Sequence, residues 1–256
     1  MDAVHSMIAS RLSRRTLLRS TGVGAAGFTV AQLAFLRSQA AQSEAIQDIL
    51  DITATTERFG VTFLGEALAS NEEGNFDQEF PENVVAVVTA ARAQEQFHLD
   101  AFEAAGGEAL VDTFTVPEEF LTSFEAFFAA VVEQEAAEIA AQVAAMAVFT
   151  ELERPDLAKV SFQYAAEEAE HRLLANYTLG VRPANNFAFA PFLFVTIDEF
   201  LASLEERGII GGAGLEITYP GPGEIDDTGV IEQEPGGDVV DCAQEGTPDA
   251  TPVDDD

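Results

Sequence analysis

The 256-residue chain predicts an all-α protein. The expected architecture is a four-helix bundle with a long crossover between its second and third helices, a short fifth helix and a disordered acidic tail. Three observations carry this. Four segments repeat apolar residues in steps of three and four, which marks one buried helix face. Every one of those stripes carries a glutamate, and two of the four add a histidine three residues on. From residue 211 the stripes stop and the chain turns rich in Gly, Pro and acid, a composition that buries too little apolar surface to fold.

The first 40 residues read as a leader. An Arg pair, Arg14–Arg15, precedes a mildly apolar stretch over 17–36, and the small-residue site Ser38-Gln39-Ala40 follows. That is the order of a signal peptide. "SRRTLL" resembles the twin-arginine export motif, so the expectation is passage through the twin-arginine translocase and export across the cytoplasmic membrane, to the cell surface or beyond. The alternative is an uncleaved N-terminal membrane anchor. The Gly, Ala and Thr in the stretch, with Arg37 after it, make it less apolar than a typical mature transmembrane helix.

The helices follow in order. The first is expected over 43–70, with Ile46, Leu50, Thr53, Glu57, Gly60, Leu64 and Leu68 inward. The second, over 81–105, turns in Val84, Val88, Ala91, Glu95, His98 and Phe102. The third, over 117–151, turns in Phe124, Phe128, Val131, Glu135, Glu138, Gln142, Met146 and Phe149. The fourth, over 155–179, turns in Leu157, Val160, Tyr164, Glu168, His171 and Leu174. Pro81 and Pro117 suit a first helical turn, and Thr115 with Glu118 has capping-box spacing. Gly106-Gly107 and Gly180 suit helix ends. Residues 181–195 read as an apolar loop over the bundle, and Thr196 caps a short helix ending near Arg207. Three domains result: leader 1–40, bundle 41–210, acidic low-complexity tail 211–256.

Charge sets the surroundings. Formal net charge is −33, and Lys159 is the only lysine. Five of the eleven arginines and a single acid, Asp2, lie before residue 40; without that segment 44 acids face 7 bases, a net of −37. Such a surface repels nucleic acid and anionic membranes. Acid excess with almost no lysine resembles the proteins of salt-in halophiles. Cys242 is the only cysteine, so no intrachain disulfide and no CxxC motif exist.

Glu57, Glu95, Glu135 and Glu168 lie on buried faces, with His98 and His171 one turn beyond two of them. Four buried carboxylates are costly unless compensated, and by phase Arg58, Arg92 and Arg172 point elsewhere. Two divalent cations match four negative charges in formal count. A Glu from each of two helices plus Glu-x-x-His from each of the other two is the donor set of di-metal carboxylate bundles. The order here, Glu then ExxH then Glu then ExxH, is an internal repeat with spacings of 38 and 33 residues. In the third helix Glu133, Glu135 and Glu138 compete; phase and spacing favour Glu135, and Glu138 stays open as a ligand or a neighbour. At about 1.5 Å per residue, Glu95 and Glu135 meet only if the connection between helices two and three spans the bundle. Those helices are then parallel.

With these motifs in place, residues 44–210 resemble the ferritin-like superfamily, and most of all its exported ferritin-like domain and desiccation-related members. "TTERFG", "EQFH", "VEQEAAEIAAQ" and "EEAEH" carry the resemblance. It implies metal ligation by Glu57, Glu95, His98, Glu135, Glu168 and His171, with Glu95 and Glu168 as bridging candidates. It implies two Fe or Mn ions, and redox chemistry with O2 or peroxide of ferroxidase or catalase type. The second reading is a non-enzymatic stress protein whose metals are structural. A third reading is an iron-binding protein that assembles as a homo-oligomer into a shell, and the acidic tail and the leader argue against a compact cage.

Overall fold

The computed structural model describes residues 30–181 and 192–227, with side chains from residue 45 onward. The Arg pair of the leader, His5, the middle of the apolar loop and Cys242 lie outside the described residues. The described residues are mostly helical. Its long helices are α1 (Val30–Glu72), α2 (Glu82–Ala104), α3 (Phe124–Glu151) and α4 (Pro155–Thr178), and a short α5 (Ile197–Glu206) follows. α1 starts well before the expected position and runs without a break through Ser38, Gln39 and Ala40. No described helix is long and apolar enough to cross a membrane.

Chain direction follows from hydrogen bonds at the middle and at the C-terminal end of α1. Near its middle, Asp51 Oδ1 accepts the Glu108 amide at 2.8 Å and Thr55 Oγ1 accepts the Leu110 amide at 2.8 Å. Gly107 approaches so closely that a Cβ there would stand 2.9 Å from the Leu50 carbonyl oxygen. At the C-terminal end of α1, Ser70 donates to the Leu121 carbonyl at 2.7 Å. Asp77 caps the start of α3 by accepting the Phe124 amide at 2.9 Å. The connection after α2 therefore travels along α1 to the end where α2 itself began, and α2 and α3 start from the same end. A knot of rings closes that end: Phe76, Phe80, Phe127 and Phe128 lie with centroids 4.7 to 5.9 Å apart.

That connection holds structure the stripes did not announce. β1 (Thr113–Val116) pairs antiparallel with β2 (Leu215–Thr218), Thr113 opposite Thr218 and Val116 opposite Leu215. A 3-10 turn (Glu118–Leu121) follows β1, and a second (Pro222–Glu224) follows β2. The strands correct two expectations. Residues 215–218 belong to the fold rather than to a structureless tail, because Ile217 is 2% exposed against the core. The third helix starts at Phe124, not at Pro117, because Thr115 is taken up by the strand and its amide donates to the Ile209 carbonyl at 2.9 Å. Ser123, not Thr115, is the N-cap of α3, accepting the Ala126 amide at 3.4 Å. In the expected apolar loop, Phe192, Leu193 and Val195 are exposed, while Phe194 packs on Phe200 at 5.4 Å.

Candidate metal centre

The midpoints of the four long helices converge on one buried cluster. Glu57 comes from α1, Glu95 and His98 from α2, Glu135 from α3, Glu168 and His171 from α4, and none is more than 4% exposed. Helix spacing does this work, since residues three or four apart share a face and each stripe faces inward. All six predicted donors are brought together. They form two groups able to hold a metal ion, one of Glu57, His98 and Glu168, the other of Glu95, Glu135, Glu168 and His171, with ligand atoms in each group within 4.8 Å of one another.

Glu168 belongs to both groups. Its Oε1 lies 3.2 Å from His98 Nδ1 and its Oε2 lies 3.1 Å from His171 Nδ1. Glu57 Oε2 is 3.2 Å from His98 Nδ1, and Glu95 Oε1 is 3.1 Å from His171 Nδ1. Of the two bridging candidates, Glu168 spans both groups, and Glu95 stands in one.

Both imidazoles turn Nδ1 inward. The outer nitrogens are held crosswise: His98 Nε2 bonds Glu167 of α4, and His171 Nε2 bonds Gln94 of α2 at 3.2 Å. Each partner is the residue just before the glutamate of the opposite ExxH motif. A hydrogen bond at one ring nitrogen sets what the other can do. Sequence reasoning missed Gln94 and Glu167. The internal repeat held the signal, because both occupy the position before the motif glutamate.

Glu138 resolves as a neighbour. It is 3% exposed, accepts the Thr56 hydroxyl and also accepts Gln134 Nε2 at 2.9 Å, and falls in neither donor group. Thr53, Thr55 and Thr62 return their hydroxyls to carbonyls four residues back in α1, whereas Thr56 spends its own on Glu138. Tyr164 sets its ring edge-on to His98 at 4.8 Å and against Phe102 at 4.5 Å. Gly60 makes room for Glu95: a Cβ there would stand 2.8 Å from the Glu95 carboxyl carbon.

Electrostatics at the cluster are strained. Burial, then Glu168, holds the Glu57 carboxyl well above its usual range. Burial, then Glu138, does the same to Glu135. Burial with Glu95 and Glu168 pushes Glu138 up to about 8. Burial opposes charge on the histidines, but their carboxylate neighbours outweigh it, raising His98 and taking His171 up to about 10. At Glu168 burial favours the neutral acid, and His98 and His171 overcome it, so its carboxylate is held far below the usual range. Without metal the cluster thus balances its charge with protons.

The donors fit divalent cations. Glu95 Oε2, Glu135 Oε2 and Glu168 Oε1 are buried without a hydrogen-bond partner; Glu168 Oε1 is near His98 but poorly aligned with it. Buried carboxylate oxygens lacking donors are expensive, and a cation is the partner that satisfies several at once. Oxygen and imidazole donors with no sulfur suit divalent first-row ions as a class. Arg58 is engaged elsewhere, with Glu103 at 2.6 Å and with Asp112. Comparison with family models, curated proteins and solved structures finds no match to this chain.

Proposed function

We propose that the chain is a ferritin-like four-helix protein whose buried cluster holds two divalent ions, Fe or Mn, and reacts there with O2 or peroxide. The observation that carries the reading is the shared Glu168, with one oxygen toward each donor group. Glu57 and His98 would hold one ion; Glu95, Glu135 and His171 would hold the other. Bound Fe or Mn would supply redox chemistry toward a small oxidant.

The chain's own part is to bind, orient and hold protons. Glu167 and Gln94 hold the Nε2 sides of His98 and His171, leaving each Nδ1 to face the ions once its proton has gone. Thr56 and Gln134 fix Glu138 beside the cluster. Phe102 and Tyr164 close the side next to His98. Protons on Glu57, Glu135 and the two histidines must leave as cations enter, so loading releases acid. The leader motif adds the proposal that the protein folds and loads before export by the twin-arginine route.

The near-complete burial of the six donors favours a second reading, in which the metals only brace the helices. One experiment separates the two. Protein loaded with Fe(II) or Mn(II) is mixed with O2 or hydrogen peroxide, and oxidant consumption is followed. Turnover well above that of free metal, lost in Glu95→Ala/Glu168→Ala, is the expected result. Stoichiometric metal without turnover leaves the structural reading.

A further inference from the structure

A second place in the molecule has the features of a binding site. Between α1, α3, the β1–3-10 segment and the end of α5 lies a cavity of about 180 Å³. Its walls include Phe59, Phe63 and Phe120, with Phe59 and Phe63 stacked at 5.4 Å and Phe63 and Phe120 at 6.2 Å. A cavity of about 150 Å³ with such walls accommodates benzene, so this one has room for a single ring with small substituents.

Two polar atoms on its lining lack partners, although each side chain is bonded through another atom; Arg207 Nε donates to the Ser203 carbonyl at 3.4 Å. Gln134 is 6% exposed; its Nε2 donates to Thr56 Oγ1 and to Glu138 Oε1, both at 2.9 Å, and its Oε1 is buried with no donor. Arg207 Nη2 is likewise buried with no acceptor, although Glu133 also lines the cavity. Burial without a partner is unfavourable for either group. One acceptor and one guanidinium on an aromatic-walled cavity define a ligand: a flat ring, an anionic oxygen group for the guanidinium and a hydroxyl for the amide carbonyl.

We propose that this cavity binds a monocyclic aromatic acid bearing a ring hydroxyl, its carboxylate on Arg207 and its hydroxyl donating to Gln134 Oε1. The site is separate from the six-residue cluster and does not depend on metal. It still stands near that cluster, because Gln134 holds Glu138.

The test titrates 4-hydroxybenzoate into the full chain at high salt and follows binding by calorimetry, before and after chelation of metal. Saturable binding of one ligand per chain is expected, within about twofold the same in both states. Arg207→Met should weaken it at least tenfold, benzoate without the hydroxyl should bind several-fold more weakly, and Ala130→Phe, which fills the cavity, should abolish it. Circular dichroism melts establish that each variant is folded. If Ala130→Phe does not fold, Arg207→Met decides. No saturable binding to wild type, equal affinity in Arg207→Met, or binding retained in folded Ala130→Phe would overturn the proposal. So would binding that chelation removes, since that places the ligand on the metals.

Discussion

Gly60 shows how single residues shape the cluster. It sits one turn from Glu57 on the inward face of α1, and its missing Cβ is where the Glu95 carboxylate lies. Gly60→Ala should displace that carboxylate, cost about 1–3 kcal/mol through overpacking and lower metal content; thermal melts and elemental analysis read both. Glu138 makes a different prediction. Its folded pKa, about 8, lies above the ordinary carboxyl value, so the stability it contributes is complete at low pH and is lost as pH rises through about 8. The raised histidines act in the same direction, with His171 losing its contribution only toward pH 10. Glu168, held low, contributes steadily above its ordinary value. Metal-free protein in molar salt should therefore melt at falling temperature from pH 5 to pH 8, and Glu138→Gln should flatten that slope. A melting temperature that rises over the same window contradicts the charge balance described. The convergence of the six candidate donors was legible in the sequence because helix phase maps spacing onto a face with little freedom. Glu167 and Gln94 were not legible from periodicity, because a contact between helices depends on their relative rotation and height; only the repeat of the ExxH motif marks the position they share.

Among the elements, the four long helices announce themselves, and the strand pair does not. β1 and β2 are 4 residues each and join Thr113 to Thr218 across the chain; periodicity within a short window holds no trace of a pairing that distant. The misplaced start of the third helix has the same origin, since Thr115 reads as a cap only if its strand partner is ignored. Around the pair, Tyr219 donates to Gln96 Oε1 at 2.7 Å and lies 5.0 Å under the Arg58 guanidinium. These contacts fasten the C-terminal segment to α1 and α2. A chain ending at residue 212 should thus be less stable than one ending at 227, by at least about 2 kcal/mol for the loss of buried Ile217 alone. Denaturant unfolding of the two truncations measures it, and equal midpoints would show that β2 contributes nothing. Ser123→Ala should cost about 1 kcal/mol through loss of the α3 cap.

For the whole molecule, a net charge of −33 on 256 residues sets the working conditions. Self-repulsion opposes the compact state, and salt shortens its range from about 10 Å at 0.1 M to about 3 Å at 1 M. The melting temperature should climb as salt is raised from 0.1 to 2 M; a flat response would mean that the acidic surface is not a stability determinant. Inside that surface, four carboxylates and two imidazoles from four helices meet at one buried point. Elemental analysis of the protein purified from its own host, beside Glu95→Ala/Glu168→Ala, tests most directly why they do. Two equivalents of Fe or Mn per chain, about the complement of a di-metal carboxylate bundle, absent from the variant, is the expected result. Well-folded wild-type protein that carries no metal and takes up none would contradict it.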